Sequence, residues 1–118
     1  MRLKQKDIKP LREQYLNEQL GLCGICHELI DPTEAVLDHC HTTGQIRSVL
    51  HRFCNTFISH IENNQKRNKI SPSQLSNILA NFQTYVATLK PILHPTYKTP
   101  EERRARTKKR AKARRAKK

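Results

Sequence analysis

Two ligand pairs with the same spacing, C-x-x-C at Cys23 and Cys26 and H-x-x-C at His51 and Cys54, limit this chain's fold more than any other feature. Residues two apart can clasp one ion from a single turn of backbone, and two such pairs complete the tetrahedron that zinc prefers. Thiolate and imidazole donors favour zinc over magnesium. A closure of this kind would pin the backbone near residue 23 to that near residue 54. The chain has need of it: 118 residues, 36% of them hydrophobic and none of them Trp, make a thin core, and small domains with thin cores recruit metals, disulfides or partners. The competing ligand set exchanges His51 for Cys40, giving four cysteines. It ranks lower because Cys40 stands alone after a strand, whereas His51 shares a helical turn with Cys54. Cys40 is then expected to be a small, partly buried filler.

The N-terminal MRLKQKDIKP has no apolar core of the kind that directs secretion, and no apolar run reaches membrane length. The expectation is a cytoplasmic protein with no membrane partner, its thiols reduced and available to a metal (the host cytoplasm, if phage-encoded). A redox role for the C-x-x-C is disfavoured, since nothing supplies a thioredoxin-like order of strand and helix.

Three parts are expected along the chain. In residues 1–21, Leu11, Tyr15 and Leu20 fall near helical spacing, with Asp7 as candidate cap and Gly21 as stop. Residues 22–90 open on a glycine-bearing knuckle around Cys23 and Cys26. Strands follow at 35–39 and 45–50, joined through a turn containing Gly44. From His51 the pattern turns helical, with Phe53, Phe57, Ile58 and Ile61 on one face as far as Asn63 or Gln65, and a polar loop follows. Ser71, Pro72 and Gln74 then announce a helix whose stripe runs Leu75, Ile78, Leu79, Phe82, Tyr85, Val86 and Leu89 and which should end by Pro91. That stripe predicts core packing or a dimer interface. Residues 91–118 read as a proline-containing linker and a disordered basic tail.

The formal charge of +13 is concentrated in that tail, where more than half of the 23 Lys and Arg residues lie beyond Tyr97 and only Glu101 and Glu102 oppose them. Arg103, Arg104, Arg106, Lys108, Lys109, Arg110, Lys112, Arg114 and Arg115 can neutralise phosphates, which gives salt-dependent affinity for a polyanion without sequence preference.

If zinc takes Cys23, Cys26, His51 and Cys54, the residues left over at the strand end are Asp38, His39 and His41, with Asn55 directly after the last zinc ligand. Carboxylate and amide oxygens suit Mg²⁺ or Mn²⁺, and a neutral imidazole suits proton abstraction. Hydrolysis of a phosphodiester needs an activated water and a cation to absorb charge on the phosphoryl oxygens. Asp38 and Asn55 can hold the cation while His39 takes the proton.

The run of C-x-x-C, LDHCH, T-G-x-I-R and L-x-x-x-C-N resembles the phage recombination endonuclease VII family, a branch of the His-Me finger (HNH-like, ββα-metal) nucleases. The resemblance covers about residues 15–90. It implies a small α+β fold, a zinc-stapled ββα-metal core flanked by an N-terminal helix and a C-terminal amphipathic helix. It also implies His39 as general base, Asp38 and Asn55 as ligands of a catalytic Mg²⁺, His41 as a helper that contacts phosphate or orients the site, and Arg47 in phosphate contact or hairpin packing. In this sequence His51 stands where the family usually has a cysteine, Cys40 where it has a second acid, and Ser48 where a glycine commonly follows the arginine. The expected activity is a metal-dependent DNA endonuclease acting on branched DNA, such as Holliday junctions, or nicking duplex DNA, with a homodimer expected for paired cuts. The alternative is a non-catalytic zinc module that binds nucleic acid.

Overall fold

The computed structural model describes residues 1–117. Helix α1 (Gln5–Glu18) begins ahead of the cap expected at Asp7: Lys4 is the N-cap and Asp7 acts from inside the first turn, where its carboxylate accepts the Lys4 backbone N–H at 3.0 Å. It ends at Glu18, ahead of the stop expected at Gly21: Leu20 (φ 57°) already turns left-handed, and Gly21 (φ 76°) follows with its N–H returning to the Leu16 carbonyl at 2.9 Å.

Backbone bonds shape the knuckle. Cys23 N–H donates to Glu28 O at 2.8 Å, Ile30 N–H to Gly21 O at 2.8 Å, and Gly24 N–H crosses to Val49 O at 3.0 Å. The last bond brings the knuckle so close to the next strand pair that a Cβ on Gly24 would collide with the Ser48 hydroxyl and lie 3.0 Å from Ser48 Cβ. A 3-10 turn (Pro32–Glu34), capped by Asp31, leads into strand β1 (Ala35–His39). Strand β2 (Ile46–His51) returns antiparallel. Ala35 pairs with His51, Val36 with Leu50 and Leu37 with Val49, but His39 pairs with Ile46. The shift sets Arg47 and Ser48 together opposite Asp38, a β-bulge, the device that commonly re-aims side chains beside functional sites.

Helix α2 (Arg52–Asn68) follows β2 without a break and is longer than its sequence suggests. The polar run expected to be a loop continues the helix, with the Asn64 and Asn68 amides donating to the carbonyls of His60 and Asn64, and Lys69 (φ 53°) closes it. Polarity there marks a solvated face and not an end. The buried face also differs. Cys54 is buried and Ile58 packs on the core, whereas Phe53 and Phe57 are 69% and 63% exposed. Turning Cys54 inward rotates its neighbour Phe53 by about 100° toward solvent.

The core is as thin as the composition implies: Leu16, Cys23, Ile30, Ala35, Val49, Leu50 and Cys54, drawn from α1, the knuckle, both strands and α2. Gln19 joins α1 to it, its amide accepting from Val49 N–H at 2.9 Å and donating to the carbonyls of Val49 (2.9 Å) and Leu22 (2.8 Å).

The chain divides within helix α3 (Pro72–Ala87) into two compact units, Met1–Leu79 and a second beginning at Ala80. The Ser71 hydroxyl caps α3 by accepting Gln74 N–H at 3.1 Å. Its stripe does not form a core: Leu75 is half-buried, but Ile78, Leu79, Phe82, Tyr85 and Val86 are all exposed, as is Leu89 beyond the helix end. The tail expected to be disordered is helix α4 (Pro100–Ala116). Thr99 and Glu102 cap it reciprocally, Pro100 occupies its first turn beside Glu101, and Arg114 and Arg115 occupy its last, so charge and helix dipole agree at both ends. Among the described residues no helix is long and apolar enough to cross a membrane.

Candidate metal centre and nuclease site

The knuckle, the end of β2 and the first turn of α2 bring Cys23, Cys26, His51 and Cys54 together, their ligand atoms all within 4.8 Å of one another. His51 Nδ1 lies 3.3 Å from Cys26 Sγ and 3.7 Å from Cys54 Sγ. Ligands about 2.3 Å from a tetrahedral zinc stand about 3.8 Å apart, so three sulfurs and one nitrogen at these separations fit that ion. His51 Nε2 donates to the Leu29 carbonyl at 2.8 Å, which fixes the tautomer and leaves the Nδ1 lone pair facing the sulfurs. The same carbonyl is the main cause that raises the His51 pKa above its ordinary value.

The thiols show why this cluster suits a cation. Burial works against ionisation of Cys23, but N–H groups of Cys26, Ile25 and His51 and the His51 ring outweigh it and bring the thiol down to about 6. Cys54 is pushed up to about 12, first by burial and then by the neighbouring Cys26 and Cys23 sulfurs. One thiolate forms readily and the next resists, a conflict that a divalent ion at the centre removes. Cys40 is not part of the cluster. It is half-buried in the hairpin turn, where side-chain and backbone bonds from Thr43 lower its pKa.

Because β2 runs directly into α2, fixing His51 and Cys54 also fixes the hairpin against the helix that carries Asn55. The family model for recombination endonuclease VII matches residues 2–82, more than half of the chain.

The chain belongs to the recombination endonuclease VII family. It is thereby a nuclease, and its Cys3His cluster is one that can bind a structural metal such as zinc. Comparison with curated proteins gives no match.

The candidate residues at the hairpin edge are held in different ways. Asp38, 6% exposed, is turned inward and gripped by Arg47, whose Nε donates to Oδ2 at 2.7 Å and whose Nη2 donates to Oδ1 at 3.2 Å. His39, next along the strand and exposed, stacks on His41 with ring centroids 4.9 Å apart. Asn55 is half-buried on α2, which packs on both strands, and its side-chain amide has no hydrogen-bond partner among the described residues. Arg47 is occupied within the protein. Beyond Asp38 it donates to both carboxylate oxygens of Glu62, at 3.0 Å and 3.2 Å, and these bonds, Glu62 foremost, raise its pKa.

Sequence reasoning missed Glu62. The available signal was its place seven residues after Asn55, two helical turns along the same face of α2. It missed Gln19 as well, for which no local pattern announces a long-range amide clamp. The basic residues Arg103, Arg104, Arg106, Lys108, Lys109, Arg110, Lys112, Arg114 and Arg115 all lie on α4, where they are exposed.

Proposed function

We propose that this chain is a divalent-cation-dependent DNA endonuclease that hydrolyses phosphodiester bonds to leave 5′-phosphate and 3′-hydroxyl ends. The observation that carries the reading is the placement of a strand-end acid and histidines, Asp38, His39 and His41, on a hairpin whose second strand runs directly into the helix bearing Asn55. The Cys23, Cys26, His51 and Cys54 cluster would take Zn²⁺ as a staple and leave the chemistry to the hairpin edge.

Asp38 and Asn55 offer hard oxygen donors and would hold Mg²⁺ or Mn²⁺. That ion, when bound, absorbs charge developing on the phosphoryl oxygen and on the departing 3′ oxygen. His39, exposed to solvent, takes a proton from the attacking water as its oxygen bonds to phosphorus and the bond to the 3′ oxygen breaks. His41, stacked on it, limits the orientations of that ring. The α4 charges add backbone affinity and leave the choice of substrate to the folded part. Branched DNA is the substrate class that the family name supports. Resolving a branch takes two cuts, so this reading carries a homodimer, with the exposed stripe of α3 as its surface.

The test is cleavage by the zinc-replete protein of supercoiled plasmid and of junction, flap, single-stranded and linear duplex DNA, with Mg²⁺ and with chelator. Cation-dependent cleavage with preference for junction or flap supports the proposal. A second reading, a zinc module that binds DNA without cutting it, draws on the Arg47 grip on Asp38, which resembles a structural ion pair. It is favoured if no DNA form is cut while all are bound.

A further inference from the structure

The guanidinium of Arg47 lies between two carboxylates from different elements, Asp38 on β1 and Glu62 on α2, and its Nη2 is shared by both, at 3.2 Å and 3.0 Å. The two ends of this bridge are unlike. Asp38, the cation ligand of the proposed function, is 6% exposed, whereas Glu62 is 39% exposed and faces solvent. A cation approaching Asp38 meets a positive group already bonded to both of its oxygens. It can be accommodated only if Arg47 gives up part of that grip, and Glu62 offers the guanidinium a second, bidentate seat without leaving the site. Glu62 also stands on the same face of α2 as Asn55, so the group that competes for Arg47 is carried by the helix that supplies the other donor.

From this we infer that Glu62 is a positioning residue: by holding Arg47 it sets how readily Asp38 accepts the catalytic cation. The inference rests on the reading of Asp38 as a cation ligand and assigns Glu62 no direct contact with the ion. With Glu62 uncharged, Arg47 has one anionic partner left and stays over Asp38. Without Arg47, the charge of Glu62 has nothing to act through.

The experiment is a double-mutant cycle on the full, zinc-replete chain, reading Mn²⁺ affinity by the electron paramagnetic resonance signal of free Mn²⁺, so that no cleavage is required. Glu62→Gln is expected to weaken Mn²⁺ binding about three- to fivefold, the upper scale of one partly exposed bidentate pair. In an Arg47→Gln background the same change is expected to alter affinity less than about twofold, a collapse of the effect that only action through Arg47 produces. Equal weakening in both backgrounds overturns the inference, since Glu62 would then act as a ligand or through its charge alone. Unchanged affinity in Glu62→Gln, with binding lost in Asp38→Asn, overturns it too and leaves the reading of Asp38 standing. Full binding by Asp38→Asn removes that reading and the inference with it. If Arg47→Gln fails to fold by thermal unfolding, Arg47→Lys replaces it, because a single ammonium cannot span both carboxylates with the same fork.

Discussion

Replacing Gly24 by alanine tests the close approach of the metal knuckle to β2. Gly24 does not have a left-handed backbone, so an alanine there meets no conformational penalty and the effect is purely steric. Its methyl group would overlap the Ser48 hydroxyl, lie 3.0 Å from Ser48 Cβ and lie 3.3 Å from Leu50 Cδ2. The hydroxyl can rotate away, but the Ser48 Cβ is fixed to the strand and Leu50 is buried. The knuckle must therefore lift, lengthening the Gly24 N–H bond to Val49. Overpacking of this kind costs about 1–3 kcal/mol, which in a chain of this size lowers Tm by about 4–12 °C. The same geometry predicts its own rescue, because Ser48→Gly removes both the hydroxyl and the Cβ. That change alone costs about 0.5–1 kcal/mol for a glycine in a strand, yet in the Gly24→Ala background it should stabilise, giving a coupling of at least about 1 kcal/mol. Thermal unfolding of the four proteins followed by circular dichroism, each saturated with zinc, measures the cycle. Additive effects, or a Gly24→Ala protein as stable as the parent, would refute the packing described here.

The ligand set predicts that His51→Ala loses most of its bound zinc while Cys40→Ser keeps a full equivalent, read by elemental analysis after gel filtration. Acid should release the metal. Cys23 is lowered in the folded protein to about 6 from 9.0, so its thiolate contributes stability in full above pH 9 and loses it as the pH falls through about 6. A metal-free protein as stable at pH 5 as at pH 9 would contradict this linkage. Removing residues 98–118 takes away α4, and should weaken DNA binding and flatten the dependence of log K on log salt while leaving cleavage at low salt intact. Loss of cleavage at saturating DNA would instead make α4 part of the active site.

What was legible in the sequence followed from ligand chemistry and strong periodicity. Cys23, Cys26, His51 and Cys54 were readable because a metal demands fixed spacings, and the hairpin because two short apolar runs flank a turn with Gly44, whose φ is 79°. The cap at Ser71 was equally local. The failures had physical causes. Phe53 and Phe57 carried the apolar weight of α2, but the inward demand of Cys54 decided which face was buried. The stretch after Asn63 was too polar to suggest a helix, although Asn, Gln, Lys and Arg are tolerated where a helix is solvated. The charge of the tail concealed a capping box at Thr99 and Glu102 and a run of good helix formers behind it. The Asp38, Arg47 and Glu62 bridge depends on a bulge that no single strand records, since it arises only when β1 and β2 pair.

In the proposed mechanism chemistry sits at the hairpin edge and the metal cluster only holds its shape. Nicking of supercoiled plasmid in Mg²⁺ by His39→Ala, compared with the parent at equal zinc content and equal Tm, tests it most directly. The predicted result is a rate reduced at least about 100-fold, the scale of losing a general base, with zinc and stability unchanged. Nicking at the parent rate would contradict it.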